Sequence, residues 1–115
     1  MVRNIDCNTV FRIQGALNAL YNSGIRLKIV DAAKLVQIKG TVDRQADAIT
    51  DRIVEAIPGL KDLAYVMGDD EREIYTAILS SEVEFDNMDV TLDSFTMDDA
   101  ARLDMPTVNI LMSVF

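Results

Sequence analysis

Apolar positions in the first part of the chain recur at helical spacing and then switch to alternation. Val10, Ile13, Leu17, Leu20 and Tyr21 lie three or four residues apart, after the capping candidates Asn8 and Thr9 and before Gly24, which can take the left-handed conformation. This spacing predicts a first helix over residues 8–22. Ile25, Leu27 and Ile29 then alternate with Arg26 and Lys28, and Val36, Ile38 and Val42 alternate with Gln37, Lys39 and Thr41. Period-two alternation predicts two half-buried strands, paired as a hairpin through residues 31–34. Asp43 is a good cap for a second helix with the inner stripe Ala46, Ile49, Ile53, Ala56 and Ile57, and Pro58-Gly59 stops it. Residues 60–67 read as a third strand, with Leu63, Tyr65 and Met67 on one face.

Beyond this point the pattern shortens. Asp70 with Glu73 has the spacing of a capping box, and Ile74, Tyr75, Ile78 and Leu79 give a third helix its apolar face. Met88, Val90 and Leu92 predict a fourth strand, Thr96 and Asp99 cap a short helical turn, and Met105-Pro106 precedes a final strand over residues 107–115. Val108, Ile110, Met112 and Val114 share one face of that strand, with Leu111 and Phe115 opposite. A strand apolar on both faces needs cover on each, so it is either central in a sheet or an assembly strand covered by a neighbouring copy.

Composition narrows the class. A chain of 115 residues, half of them apolar, is one domain large enough to bury a core without metals or disulfides. The amino terminus lacks a signal-peptide core, and no segment approaches the roughly 18 uninterrupted apolar residues of a membrane span. The expected location is the cytoplasm or a virion. Charge is split along the chain: residues 1–67 carry 9 basic and 7 acidic residues, net +2, whereas residues 68–115 carry 2 and 12, net −10. An acidic protein is repelled by phosphate backbones, which argues against nucleic acid as a partner. The split suits head-to-tail contacts between copies.

The order helix, strand, strand, helix, strand, with the words IKGTVDRQAD, AITDRIVEAI and PGLKDLAYV, resembles the BON domain across about residues 8–66. Gly40-Thr41-Val42-Asp43 is the most specific part, the glycine ending a strand and the aspartate opening a helix; Pro58-Gly59-Leu60 is the second. The resemblance implies an α+β fold in which helices pack on one face of a three-stranded sheet. It further implies a non-enzymatic role of the kind found in that family and in similar ring-building modules of secretion systems: phospholipid surfaces, envelope integrity or ring assembly. The expected organisation is a BON-like module at residues 1–67 and an acidic helix and strand extension at 68–115, packed together as a single domain.

Little in the chain suggests catalysis. Without histidine, Cys7 has no base to activate it, and Ser-His mechanisms are excluded within one chain. Gly68-Asp69-Asp70 matches a tripeptide of viral RNA polymerases, but two-metal chemistry needs a far larger fold, so a strand end leading into a helix cap is expected. Asp86, Asp89 and Asp93, or Asp98, Asp99 and Asp104, lack the loop an EF-hand requires, and neither a metal nor a cofactor is expected. Arg26, Lys28, Lys34 and Lys39 form a basic patch on the expected hairpin, able to contact an anion or an acidic partner. The expectation is therefore a non-enzymatic, oligomeric assembly protein, a component of a ring, virion or secretion machine. The alternative is a module that binds an anionic phospholipid membrane through those four cations.

Overall fold

The computed structural model describes residues 1–92 and 97–115, apart from the side chain of Met97. Its elements run β1 (Val2–Asp6), α1 (Cys7–Asn22), α2 (Ile29–Ala56), a 3-10 turn (Pro58–Lys61), α3 (Asp69–Ser80), β2 (Glu82–Asp86), α4 (Met97–Ala100) and α5 (Met105–Val114). The fold is mixed: a helical body carrying one small antiparallel sheet, α+β in the coarse sense.

Helix α1 follows the expected stripe, burying Val10, Ile13, Leu17 and Leu20. Its cap is Asp6 rather than Asn8 or Thr9: the Asp6 carboxylate accepts hydrogen bonds from Thr9 N at 2.7 Å and Thr9 Oγ1 at 2.6 Å. Gly24 does turn the chain at φ +74°.

The largest correction concerns residues 25–42. The hairpin expected there is absent; residues 23–28 connect two helices, and α2 runs without a break from Ile29 through Asp43 to Ala56. Leu35, Ile38 and Val42 continue backward, at spacings of three and four, the stripe of Ala46, Ile49 and Ile53. About five turns of buried apolar face, from Leu35 to Ile53, packed in one cluster with α1 outweigh the short alternation within it. Gly40 consequently sits inside a helix, and Asp43 caps nothing. Pro58 does end α2, with Ile57 fully buried at the stop.

Three further strands are also corrected. Residues 60–67 form the end of the 3-10 turn and an irregular segment, fixed by hydrogen bonds from Asp62 N to Gly59 O at 3.0 Å and Tyr65 N to Asp62 O at 3.0 Å. Met88 and Asp89 have φ of 52° and 56°, so a turn replaces the strand expected there. Residues 107–114 lie in α5, with Phe115 as its carboxyl-terminal cap; Asp104 caps the other end by accepting from Thr107 N at 2.9 Å, and Pro106 enters at a position needing no amide hydrogen. Thr96 lies outside the described residues, and Asp99 is inside α4. Helix α3 begins one residue earlier than Asp70, with Gly68 as cap and Glu71, not Glu73, reaching back to the Gly68 amide at 3.2 Å.

The sheet that does form is non-local. β1 pairs antiparallel with β2 in the register Val2↔Asp86 to Asp6↔Glu82. It brings Ile5 and Phe85 into the core, and Phe85 meets Phe115 edge-to-face at 6.2 Å. The core draws on both halves of the chain: Val10, Ile13, Val42 and Ile49 pack in one cluster with Val90, Ile110, Leu111 and Val114. The described residues include no buried polar or charged residue, although the Gln45 side-chain oxygen Oε1 is buried without a hydrogen-bond partner while its Nε2 donates to Glu84 O at 2.7 Å.

Candidate interaction groove

The pair α1 and α2 is open at the end where residues 23–28 cross over. There a groove of about 630 Å³ forms between Leu17, Leu20 and Tyr21 of α1, Ile25 and Leu27 of the connection, and Ala32, Leu35, Val36, Lys39, Gly40 and Asp43 of α2. The missing side chain at Gly40 and the small one at Ala32 leave this volume open. Tyr21 and Val36 stand largely exposed at the walls, and exposed Ile29 lies two turns before Val36 on the same side of α2.

A single ion pair marks the floor. Lys39 Nζ donates to Asp43 Oδ2 at 2.7 Å, one helical turn away, and Gln14 Nε2 donates across from α1 to Asp43 Oδ1 at 2.9 Å. The Lys39 hydrogen bond, then that of Gln14, holds the Asp43 carboxyl below the usual carboxylate range. Both partners are about one-third exposed, so the pair orients the groove more than it stabilises the fold.

The four cations of the basic patch do not share a sheet face, because there is no sheet. Arg26 and Lys28 lie on the exposed connection and Lys34 on the second turn of α2, whereas Lys39 is engaged by Asp43. Among the described residues, no carboxylate forms an ion pair with Arg26, Lys28 or Lys34. Only Arg26 and Lys28, on the connection that supplies Ile25 and Leu27, flank the apolar groove; Lys34 lies about half a turn round α2 from the groove-lining positions, on the opposite side of the helix. A helical reading of residues 29–42 finds the groove from sequence, since it places Ala32, Val36, Lys39, Gly40 and Asp43 along one side of the helix at spacings of one to four.

The expected assembly strand dissolves in the same way. Ile110, Leu111 and Val114 are buried against α1, Val108 and Phe115 are half-buried, and only Met112 of that set projects outward. Helical geometry explains the two-sided apolarity: Leu111, Val114 and Phe115 fall on adjoining turns, while Met112 falls outside the stripe. The missed signal was Asp104 followed at the right distance by Pro106 and Thr107.

The remaining candidates are local. Cys7 is fully buried at the start of α1, its Sγ 3.3 Å from Ser81 Oγ. Asp69 and Asp70 form the acidic first turn of α3. Asp86 and Asp89 face the Met1 ammonium at 3.3 and 2.9 Å, while Asp93 lies outside the described residues. Among the described residues no three Cys, Asp or Glu side chains converge as metal ligands, and no helix is long and apolar enough to cross a membrane.

Compared with known proteins, the chain matches no family model, no curated protein and no solved structure. The BON resemblance therefore rests on the quoted residues alone, and the sheet it implies is not formed by them: IKGTVDRQAD lies wholly within α2.

Proposed function

We propose that the protein is a non-enzymatic assembly protein that works through contacts with other protein surfaces, copies of itself foremost, as a component of a ring, virion or secretion machine. The observation that carries this reading is the apolar groove at the α1–α2 crossover, with exposed Tyr21 and Val36 in its walls, exposed Ile29 two turns before Val36 on the same side of α2, and Arg26 and Lys28 on the connection beside it. Exposed large apolar side chains gathered around a groove mark surfaces that are covered in use. The cations select an acidic partner, and residues 68–115 of the chain itself are strongly acidic. Light scattering and native mass measurement across protein and salt concentrations test the proposal: oligomers that weaken as salt rises are expected, and a monomer under every condition would refute it.

A second reading draws on the same end of the molecule. Ile29 and Val30 beside Arg26 and Lys28 also suit an anionic phospholipid surface, aliphatic groups entering the headgroup layer and cations meeting phosphate. Cosedimentation with anionic vesicles separates the two, since reversing Arg26, Lys28, Lys34 and Lys39 to glutamate abolishes membrane binding only if that reading is right.

A further inference from the structure

The groove has a counterpart on the same chain. Leu63 is fully exposed, at 103 % of its reference area, and Val66 is 77 % exposed. An aliphatic pair so presented is ordinarily found on a floppy segment, but here the backbone is pinned. Asp62 Oδ1 accepts from Ala64 N at 3.0 Å, and Tyr65 N is tied back to Asp62 O. The Tyr65 ring lies across Gly59, so closely that a Cβ there would come within 2.6 Å of it, and its hydroxyl donates to Glu71, which in turn caps α3. The loop is thus an ordered knob with two aliphatic side chains pointing outward and Asp62, Asp69 and Asp70 around its base.

Groove and knob differ in sign and position. The groove lies on the amino-terminal half of α2 and is rimmed by cations, while the knob follows the carboxyl-terminal end of the same helix and is rimmed by carboxylates. At 1.5 Å per residue, Val36 and Ile57 are about 32 Å apart along the helix axis, too far for the knob to fill its own molecule's groove. We infer that the apolar groove receives the residue 63–66 loop of a second copy of this chain, Leu63 and Val66 entering among Leu17, Tyr21 and Val36 while Asp62, Asp69 and Asp70 meet Arg26 and Lys28. This inference rests on the assembly reading above and names its contact. Because the two surfaces are different patches at opposite ends, the contact is heterologous and propagates head to tail, into an open chain or, where the rotation closes, a ring. An area this small gives weak association that needs high protein concentration and low salt.

The test uses two surface substitutions in the full chain and sedimentation velocity. Leu63→Asp removes the knob and leaves the groove; Val36→Glu closes the groove and leaves the knob. Both positions are exposed, and unchanged far-ultraviolet circular dichroism verifies that each variant folds. Each alone should raise the protein concentration needed for assembly by about tenfold or more, the effect of losing one central contact residue. Mixed in equal amounts at low salt, the two variants retain one intact knob and one intact groove, and should form a 1:1 dimer that grows no further. Wild-type protein that assembles while either variant assembles equally well overturns this contact and leaves the assembly reading standing. Mixed variants that stay monomeric, or that grow beyond a dimer, overturn the head-to-tail geometry. A wild type that is monomeric throughout overturns both the contact and the reading on which it rests.

Discussion

Replacing Gly40 with alanine distinguishes a helix from a strand end by the sign of a stability change. Gly40 lies inside α2, where glycine costs about 1 kcal/mol relative to alanine because it has more backbone freedom to lose on folding. A Cβ built there meets only the far end of the Arg44 side chain, at 3.8 Å, an ordinary contact that forces nothing to move. Gly40→Ala should therefore stabilise the protein by about 1 kcal/mol. With a urea m-value of roughly 1.5 kcal/mol/M, the unfolding midpoint rises by about 0.7 M at unchanged slope. Gly24→Ala supplies the opposite control. Its Cβ would also meet nothing within 4 Å, but its φ of +74° is disfavoured for an L-residue by about 1 kcal/mol or more, so the midpoint should fall by a similar amount. A drop in the midpoint for Gly40→Ala would refute the reasoning, because it would mean that the glycine ends a strand or turns the chain, as the BON-like pattern suggests.

Helix α5 and the carboxylate caps give further tests. Leu111 is fully buried and Met112 is 62 % exposed; Leu111→Ala should cost about 2–5 kcal/mol and Met112→Ala no more than about 0.5, both read from urea midpoints. Comparable losses at the two positions would instead favour a strand buried on both faces. Asp6 and Asp43 have folded-state pKa values lowered, the first by hydrogen bonds from the Thr9 hydroxyl and amide, the second by Lys39 and then Gln14. Their contribution is complete above the unfolded carboxyl value of about 3.9 and is lost as pH falls from there through the folded values. Urea midpoints taken between neutrality and strong acid should thus fall more steeply below that point for wild type than for the double variant Asp6→Asn, Asp43→Asn, and parallel curves would contradict the assignment.

Where the apolar pattern is long and bounded by clear stop signals, the sequence by itself determined the outcome. The stripe from Val10 to Leu20 allows only a helix ending before Gly24, and Ala46 to Ile53 with Pro58 allows only a helix ending at Ala56. The amphipathic α3 was legible for the same reason. Composition also set the charge split along the chain.

Tertiary structure decided the segments whose apolar residues satisfy two periods at once. Leu27, Ile29, Val36, Ile38 and Val42 alternate like a strand, yet Leu35, Ile38, Val42, Ala46 and Ile49 also form a helical stripe, and local propensity does not separate the two. The choice falls to α1, which offers an apolar face along its length, so that extending α2 buries Leu35, Ile38 and Val42 together. Residues 105–114 follow the same rule, helical because α1 also receives Ile110, Leu111 and Val114. The β1–β2 pair shows the converse. VRNID does not alternate and EVEFD alternates too briefly to declare itself, and they become strands only when the helices bring chain positions some eighty residues apart into register. The groove belongs to this second category: its residues are visible in the sequence, but their convergence depends on two helices meeting across residues 23–28.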